Sequence, residues 1–367
     1  MVSRTVLRVG LIGCGEVAQV VHIPTLGFLS DCFQITYLCD VSTQALEHCK
    51  AKVAGDMVSI TTEPQTLCAS PDVDVVFVIH SDEYHADHAI LALENNKFVF
   101  VEKPLALNVR DIERIKSAER NSNGKVMVGY MRRHAAAFVD GVKEIGGMDQ
   151  VLYARVRDII GPNSAFVSQS GTFPKRFTDI RPEDIEDRTT RATELVRQAL
   201  ESECGVPITK SSTTMWRILE GLGSHDLSAM REALGMPTKV LGANLGYPFW
   251  NVLFQYPGFA VSYESGMDSV PRFDAHIEIY SQNKSVRIQY DTPYVKGLPT
   301  TLHISEKDGD GYRETIIRRT YEDPYTLQLK ELYDWVVHGS PVKTTAEDAE
   351  LDSHIFQMIM KAGGYKA

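Results

Sequence analysis

The sequence lacks the patterns that mark several protein classes. It has 38 Lys and Arg against 48 Asp and Glu, a formal net charge of −10. Non-specific binding of nucleic acid needs surplus cations to displace counterions, so this balance argues against it. No apolar run approaches the ~20 residues of a membrane helix, and residues 1–8 lack the apolar stretch of a secretory signal. We therefore expect a cytoplasmic protein with no nucleic-acid or membrane partner.

Cysteine pairs of the metal-binding or redox type are also missing. None of the six cysteines stands in a Cys-x-x-Cys pair, so neither a zinc site nor a redox dithiol is indicated, and no metal site is predicted. Five of the six fall in the first 68 residues, in segments with the pattern of buried strands and helices. Buried free thiols are typical of a reducing compartment.

Apolar runs alternate with helix-like segments through the first 130 residues. Strands are predicted at 7–12, 33–39, 74–79, 98–101 and 126–129, and helices at 17–28, 43–54, 85–95 and 109–120. Strands that alternate with helices at this spacing form a parallel, doubly wound sheet. Because 367 residues exceed what one core usually serves, we expect two domains, and residues 1–130 as an N-terminal Rossmann domain.

The pattern changes after residue 130. Segments 150–157, 239–245, 260–264, 275–280, 285–290 and 313–320 alternate or are rich in β-branched and aromatic residues. They predict a C-terminal α+β domain over 131–367 with a large, mostly antiparallel open sheet. Closing helices are predicted at 325–338 and 346–361, the last packing back on the first domain. An insertion at about 160–216, helix-like over 182–203, is too long for a plain loop and predicts a cap or an oligomer arm.

A glycine turn, Gly13-Cys14-Gly15-Glu16-Val17-Ala18, joins the first strand to the first helix. Gly13 allows a tight turn, Gly15 lets backbone approach a pyrophosphate, and the N–H groups of Glu16 and Val17 open the helix toward it. Asp40 ends the second strand, where a carboxylate binds ribose hydroxyls. No arginine adjoins Asp40, so NAD is favoured over NADP. A plain strand–helix turn is the structural alternative.

Further motifs follow the later strands. Glu102-Lys103-Pro104 leaves a predicted buried strand at its carboxyl end, where ligands bind in open α/β sheets. His80-Ser81-Asp82-Glu83-Tyr84-His85 ends the strand before it. The combined pattern resembles the glucose–fructose oxidoreductase/inositol dehydrogenase (Gfo/Idh/MocA) family, and so do the stretches 128–133 and 223–237. The resemblance covers almost the whole chain except about 160–217, which is longer than in typical members.

The resemblance implies roles for individual residues. Lys103 and His225 would be catalytic and assist proton transfer, and Lys103-Pro104 would be a cis peptide. Hydride would pass between the substrate carbon and the nicotinamide. The residues implied to hold the cofactor beside the glycine turn and Asp40 are His80, Ser81, His85, Glu102, Lys103 and Arg132. The residues expected at the substrate are Lys103, Met131, Arg132, Asp158, Trp216, Glu220 and His225.

Several of these residues have a structural alternative. Arg132 could be a solvated charge, Asp158 could form a turn, and Trp216 is more often a core residue than a sugar-stacking platform. Many family members place an Asp four residues before the catalytic His, and this sequence has Gly221 there, with Glu220 beside it. Either Glu220 substitutes from a shifted register, or His225 and Lys103 work without that partner.

These motifs together predict an NAD-dependent dehydrogenase. The expected substrate is a small molecule with a secondary hydroxyl: a sugar, a polyol or a related cyclic alcohol. Two alternatives remain open, a glycoside-cleaving enzyme that oxidises its sugar transiently on a retained NAD, and a non-catalytic nucleotide-binding protein. The resemblance also implies a homodimer or homotetramer formed through the C-terminal sheet, whose uncovered face would otherwise be an exposed apolar patch.

Overall fold

The computed structural model describes residues 5–55, 58–172, 174–298 and 300–366, which form two compact units. The first unit comprises Met1–Gly129, Gly171–Glu203 and Leu329–Glu350, and the second comprises Tyr130–Ser170, Cys204–Gln328 and Leu351–Ala367. Residues 171–203, the second part of the predicted insertion, therefore group with the N-terminal sheet.

The first unit contains a six-stranded parallel sheet in the order β3-β2-β1-β4-β5-β6. This is the strand order of a Rossmann fold and confirms the predicted class. The strands are β1 (Leu7–Ile12), β2 (Phe33–Cys39), β3 (Ser59–Thr61), β4 (Val75–Val78), β5 (Phe98–Glu102) and β6 (Val126–Gly129). The helices are α1 (Ile23–Phe28), α2 (Thr43–Lys50), α3 (Pro64–Ala69), α4 (His85–Glu94) and α5 (Val109–Arg120).

Burial on both faces explains why these strands were recognisable. Every residue of β4 is buried, as expected for an apolar run in a parallel sheet covered by helices. The strand β3 was not predicted, because its three residues are polar or only partly buried. Leu329, Leu332 and Tyr333 join the same core from a C-terminal helix.

The second unit contains an eight-stranded sheet in the order β14-β13-β12-β11-β7-β10-β9-β8. Only the β7–β10 pair is parallel, so the mostly antiparallel open sheet is confirmed. The strands are β7 (Tyr153–Ile160), β8 (Lys239–Asn244), β9 (Phe249–Tyr256), β10 (Phe259–Met267), β11 (Phe273–Tyr280), β12 (Lys284–Tyr290), β13 (Thr301–Asp308) and β14 (Gly311–Ile317). The prediction missed β9 and β13, although five of the eight residues of β9 are aromatic or β-branched, a composition that could have indicated a strand.

The remaining helices lie in the later parts of the chain. They are α6 (Met131–His134), α7 (Ala136–Gly146), α8 (Asn163–Val167), α9 (Pro182–Arg197), α10 (Lys210–Ile218), α11 (Ser224–Leu234), α12 (Pro324–His338) and α13 (Ala346–Ala362). Three π-helical segments interrupt regular helix, at Ala18–His22, Gln198–Cys204 and Leu219–Gly223. All six cysteines are buried free thiols. Within the described ranges, no helix has the length and apolarity to cross a membrane.

Candidate active site

The glycine turn lies at the carboxyl end of β1 in the first unit. Gly13 has φ +115°, and a Cβ there would lie 2.8 Å from the backbone nitrogen of His80, so both conformation and space require glycine. Gly15 is exposed, and no heavy atom lies within 4 Å of the position of a Cβ. Helical geometry starts at Glu16, so the N-terminal end of this helix directly follows Gly15. The turn therefore has the open backbone that a pyrophosphate needs.

Asp40 is tied to this turn. One carboxylate oxygen accepts from the backbone N–H of Cys14 at 2.7 Å, and the other accepts from the N–H of Ser42 at 2.8 Å. Burial raises the pKa of Asp40, while these two hydrogen bonds oppose the rise. The carboxylate thus holds the glycine turn against the end of β2, beside the place where the ribose is predicted to bind.

Asp179, from residues 171–203, reaches the same end of β2. Its carboxylate accepts from the Ser42 hydroxyl at 2.5 Å, from the Thr43 hydroxyl at 3.2 Å and from the backbone N–H of Gln44 at 3.0 Å. Ser42 in turn caps α2 by accepting from the N–H of Ala45. Sequence reasoning missed Asp179, because the insertion carries no recognisable motif.

The Glu102-Lys103-Pro104 motif begins at the last residue of β5. The buried Glu102 carboxylate lies 2.9 Å from Nε2 of His22 and accepts from the backbone N–H of Lys103 at 3.2 Å. Lys103 is partly exposed, and the Lys103–Pro104 peptide is cis, as the resemblance implied. His22 ends the π-helical segment that follows the glycine turn, so two of the motifs are joined through one side-chain hydrogen bond.

Three histidines cluster where β4 gives way to α4. The Nδ1 atom of His85 lies 2.7 Å from the carbonyl oxygen of Pro104, and its Nε2 atom lies 3.2 Å from that of His80. The Nδ1 atom of His88 lies 2.6 Å from Nε2 of His80. Burial lowers the pKa of His80 well below its usual value, and His85 and His88 add to the effect. Ser81, also predicted to contact the cofactor, is partly exposed beside them.

His225 is the second residue of α11 in the second unit and is partly exposed. The π-helical segment Leu219–Gly223 directly precedes this helix. Glu220 stands five residues before His225, the spacing of one π-helical turn, whereas Gly221 stands four residues before it, the spacing of one α-helical turn. Glu220 is 1% exposed. The π-helical segment supports the alternative in which Glu220 is the partner of His225 from a shifted register, which stays a prediction.

Arg132 and Asp158 lie together in the interior of the second unit. Arg132 pairs with Asp226, and the same guanidinium nitrogen lies 3.3 Å from a carboxylate oxygen of Asp158. All three side chains are at most 4% exposed, and the rings of Phe273 and Tyr290 lie about 5 Å from the Arg132 guanidinium. Burial raises the pKa of Asp226 well above its usual range, and Asp158 adds to the rise while Arg132 opposes it. This cluster anchors α11 beside His225.

Two other predicted substrate residues are also deep in the second unit. Met131 is 3% exposed and Trp216 is fully buried, with its ring edge-on to Phe356 at 6.3 Å. Such burial gives Trp216 a packing role in this unit.

Comparison with known proteins connects these features to oxidoreductases. A family model described as "Oxidoreductase family, NAD-binding Rossmann fold" matches residues 7–130. An inositol 2-dehydrogenase from Salmonella typhimurium (strain LT2) is 34% identical over 139 residues, 36% of this chain and 39% of the relative. The chain thus spans about two fifths of the length of the first curated relatives it matches. A myo-inositol 2-dehydrogenase from Thermotoga maritima is 23% identical over 94% of this chain and 92% of its own.

Solved structures share the whole architecture at low identity. A 3-ketoreductase from Actinomadura kijaniata, solved with NADP and TDP-benzene, superposes with a TM-score of 0.69 at 16% identity and covers 96% of each chain. An oxidoreductase from Thermotoga maritima gives 0.70 at 18% identity, covering 99% of this chain and 98% of its own. Likeness at this identity establishes the fold.

Proposed function

We propose that the chain is a member of the Gfo/Idh/MocA family of oxidoreductases and an NAD-dependent dehydrogenase acting on a secondary hydroxyl of a sugar, polyol or related cyclic alcohol. The observation that carries the proposal is the glycine turn held by Asp40 at the carboxyl edge of the parallel sheet. Several relatives that match 36–40% of this chain are inositol 2-dehydrogenases, which favours a polyol-like substrate.

The residues of the first unit fit a dinucleotide. Gly13 and Gly15 leave room at the turn, and the N–H groups of Glu16 and Val17 would meet the pyrophosphate. Asp40 would bind the ribose hydroxyls. His80, Ser81, His85 and Glu102 follow neighbouring strands at the same sheet edge, and we propose that they border the nicotinamide half. When bound, the nicotinamide supplies the group that accepts hydride from the substrate carbon.

Proton transfer is assigned to Lys103 and His225. A neutral imidazole at His225 would take the hydroxyl proton of the alcohol at neutral pH. The Lys103 ammonium would donate a hydrogen bond to a substrate oxygen and stabilise the negative charge that develops there. Glu220, which lies in the π-helical segment five residues before His225, would stabilise the imidazolium once it forms. Arg132 and Asp158 would act by holding Asp226 and thereby the start of α11.

The test measures cofactor binding and turnover separately. Purified protein is screened with NAD and a panel of inositols, sugars and polyols for reduced nicotinamide, and NAD binding is measured by calorimetry. Lys103→Met and His225→Asn should keep NAD binding and lower kcat by roughly 10²- to 10⁴-fold. Lys143→Met, which removes a side chain that is 72% exposed on α7, is the matched control and should keep full activity.

Some outcomes would contradict the proposal. Absence of NAD and NADP binding would exclude a nicotinamide enzyme, and full activity of Lys103→Met would exclude its catalytic role. Cleavage of a glycoside without accumulation of reduced nicotinamide would instead identify the glycoside-cleaving alternative.

We further propose that the protein is cytoplasmic and assembles through the eight-stranded sheet. Its six buried free thiols suit a reducing compartment. Leu241, Phe249 and Leu253 of β8 and β9 are each at least 40% exposed, an apolar patch that a second subunit would cover. Light scattering after size exclusion should give a dimer or tetramer, and a monomer would contradict this arrangement.

A further inference from the structure

The start of α2 is filled by a carboxylate from a distant part of the chain. Asp179 accepts from two side-chain hydroxyls and one backbone N–H at this helix start, those of Ser42, Thr43 and Gln44. The backbone N–H groups of a first helical turn, with the positive end of the helix dipole, form an anion-binding position. In this protein the anion is an aspartate that lies 137 residues beyond Ser42 in the sequence.

The segment that carries Asp179 is held beside the glycine turn and α2 by several contacts. The backbone of Lys175 exchanges two hydrogen bonds with the Gln19 side chain, at 2.8 and 3.1 Å, and Gln19 also donates to the carbonyl of Cys14 in the glycine turn. The Phe177 ring packs on His48 of α2 at 5.4 Å. Asp179 therefore has a defined position next to the turn rather than a chance surface contact.

Two carboxylates meet at Ser42. The backbone N–H of Ser42 donates to Asp40, and its hydroxyl donates to Asp179. The negative charge of Asp179 also raises the pKa of Asp40, as expected of like charges at short range. A ribose bound to Asp40 would carry its 2′ position beside this pair.

A ribose 2′-phosphate would need the hydrogen-bond donors at the start of α2 that Asp179 already engages. The phosphate of NADP adds roughly two negative charges at neutral pH, and in Rossmann folds it is accommodated by a nearby cation. Here Asp179 engages donors at the start of α2, and the two groups that meet at Ser42, Asp40 and Asp179, are both carboxylates. NAD, with a plain 2′-hydroxyl, meets neither obstacle.

We propose that Asp179 is a specificity-determining residue that excludes NADP, because its carboxylate occupies the position that a ribose 2′-phosphate would need. The inference rests on the proposed function, since it requires that a nicotinamide dinucleotide binds at this edge. It assigns a role in the cofactor site to residues 171–203, which no motif connects with a nucleotide.

The experiment measures the dissociation constants of NAD and NADP for the full chain by calorimetry. The wild-type protein should bind NAD at least about tenfold more tightly than NADP, the scale of one like-charge contact. Asp179→Asn keeps an acceptor for the N–H of Gln44 and removes the charge, so it should bring the two constants within about threefold. Asp179→Ala, which frees the whole position, should do the same or favour NADP.

A matched control separates this local effect from net charge. Glu183→Gln removes one negative charge from an exposed side chain of the same insertion and should leave the NAD-to-NADP ratio unchanged. Circular dichroism would show that the Asp179 variants are folded, and Asp179→Asn is the variant to compare if Asp179→Ala is not.

Each possible result decides the inference. An unchanged ratio in folded Asp179→Asn would overturn it, as would a wild-type protein that binds NADP as tightly as NAD. That second result would point instead to the exposed Lys175 and Arg176 as phosphate ligands. In both cases NAD would still bind, so the proposed function would stand. A wild-type protein that binds neither dinucleotide would overturn the proposed function and this inference together.

Discussion

The imidazole of His22 and the carboxylate of Glu102 form a buried pair, with Nε2 and Oε1 2.9 Å apart. The pair joins the helix after the glycine turn to the Glu-Lys-Pro motif across 80 positions of sequence. The rings of Phe77 and Phe100 pack edge-on against His22 at 5.8 and 5.5 Å. Glu102 is thereby held in one position, next to the proposed catalytic Lys103.

Loss of this pair should affect both stability and turnover. His22→Leu removes the partner of a buried carboxylate, so the free energy of unfolding should fall by about 1–3 kcal/mol. The kcat should also fall, because Glu102 no longer fixes the backbone at Lys103. Urea denaturation and steady-state kinetics measure the two effects. His338→Ala, whose side chain is 59% exposed, serves as the control and should change stability by less than about 0.5 kcal/mol.

Glu220 and Gly221 should respond in opposite ways to substitution. If Glu220 stabilises the imidazolium of His225, Glu220→Gln should lower kcat about tenfold and shift the acidic limb of its pH profile to lower pH. Gly221→Ala should leave kcat unchanged and raise the free energy of unfolding by roughly 0.5–1 kcal/mol, because no heavy atom lies within 4 Å of the added Cβ. An unchanged pH profile for Glu220→Gln would argue against this role.

The stability of the protein should depend on the balance between the buried charges of Arg132, Asp158 and Asp226 in the second unit. Arg132→Met leaves Asp158 and Asp226 without their cation, so we expect a loss of about 3–5 kcal/mol in unfolding free energy. Asp226→Asn should cost less, because it removes one of two buried carboxylates that share one cation, and Asp158 stays to pair with Arg132. Adding Asp226→Asn to Arg132→Met should recover part of the loss. Guanidinium denaturation of the three variants tests this order, and equal costs for the two single variants would contradict it.

Mild acid should destabilise the fold through His88. Burial lowers the pKa of His88 to about 4, with Arg191 and His85 adding to the effect and Asp87 opposing it. The unfolded chain takes up a proton near pH 6.5, whereas the folded chain does so only near pH 4. The stabilisation from the neutral His88 is therefore complete above pH 6.5 and is lost as the pH falls from 6.5 toward 4.

The expected loss from His88 is on the order of 2 kcal/mol. His88→Gln should reduce the slope of unfolding free energy against pH in this window, measured by urea titrations at several pH values. His338→Gln, exposed on α12, should keep the wild-type slope. An identical slope in His88→Gln would show that other groups cause the acid sensitivity.

Local sequence patterns predicted much of the fold. The bounds of β1, β2, β6 and α5 agree with the predicted ranges. The hydrophobic pattern that marks a buried strand or an amphipathic helix is contained within a few neighbouring residues. The helix α2 ends four residues earlier than predicted, at Lys50. The strand β3 was not predicted because it has only three residues, and these are exposed or partly buried. The strand β9 was not predicted either, and every second residue in its first half is exposed.

The residues of the candidate site also divide into those that local motifs predict and those that only contacts between distant segments reveal. The glycine turn, Asp40, Lys103 and His225 could be predicted as site residues because each belongs to a short motif whose chemistry is visible in its neighbours. Asp179, the His22–Glu102 pair and the Arg132–Asp226 pair were not, because their partners lie between 80 and 137 positions away. No local pattern encodes such a contact.

The sequence by itself determined that a parallel sheet opens with a glycine turn, and it predicted a lysine and a histidine for proton transfer. Tertiary structure alone decided which carboxylate holds that turn, that a π-helical segment precedes α11, and that the insertion contributes Asp179 to the end of β2. The physical reason is that backbone conformation and burial follow from neighbouring residues, whereas hydrogen bonds and charge pairs depend on which distant segments the packed core brings together.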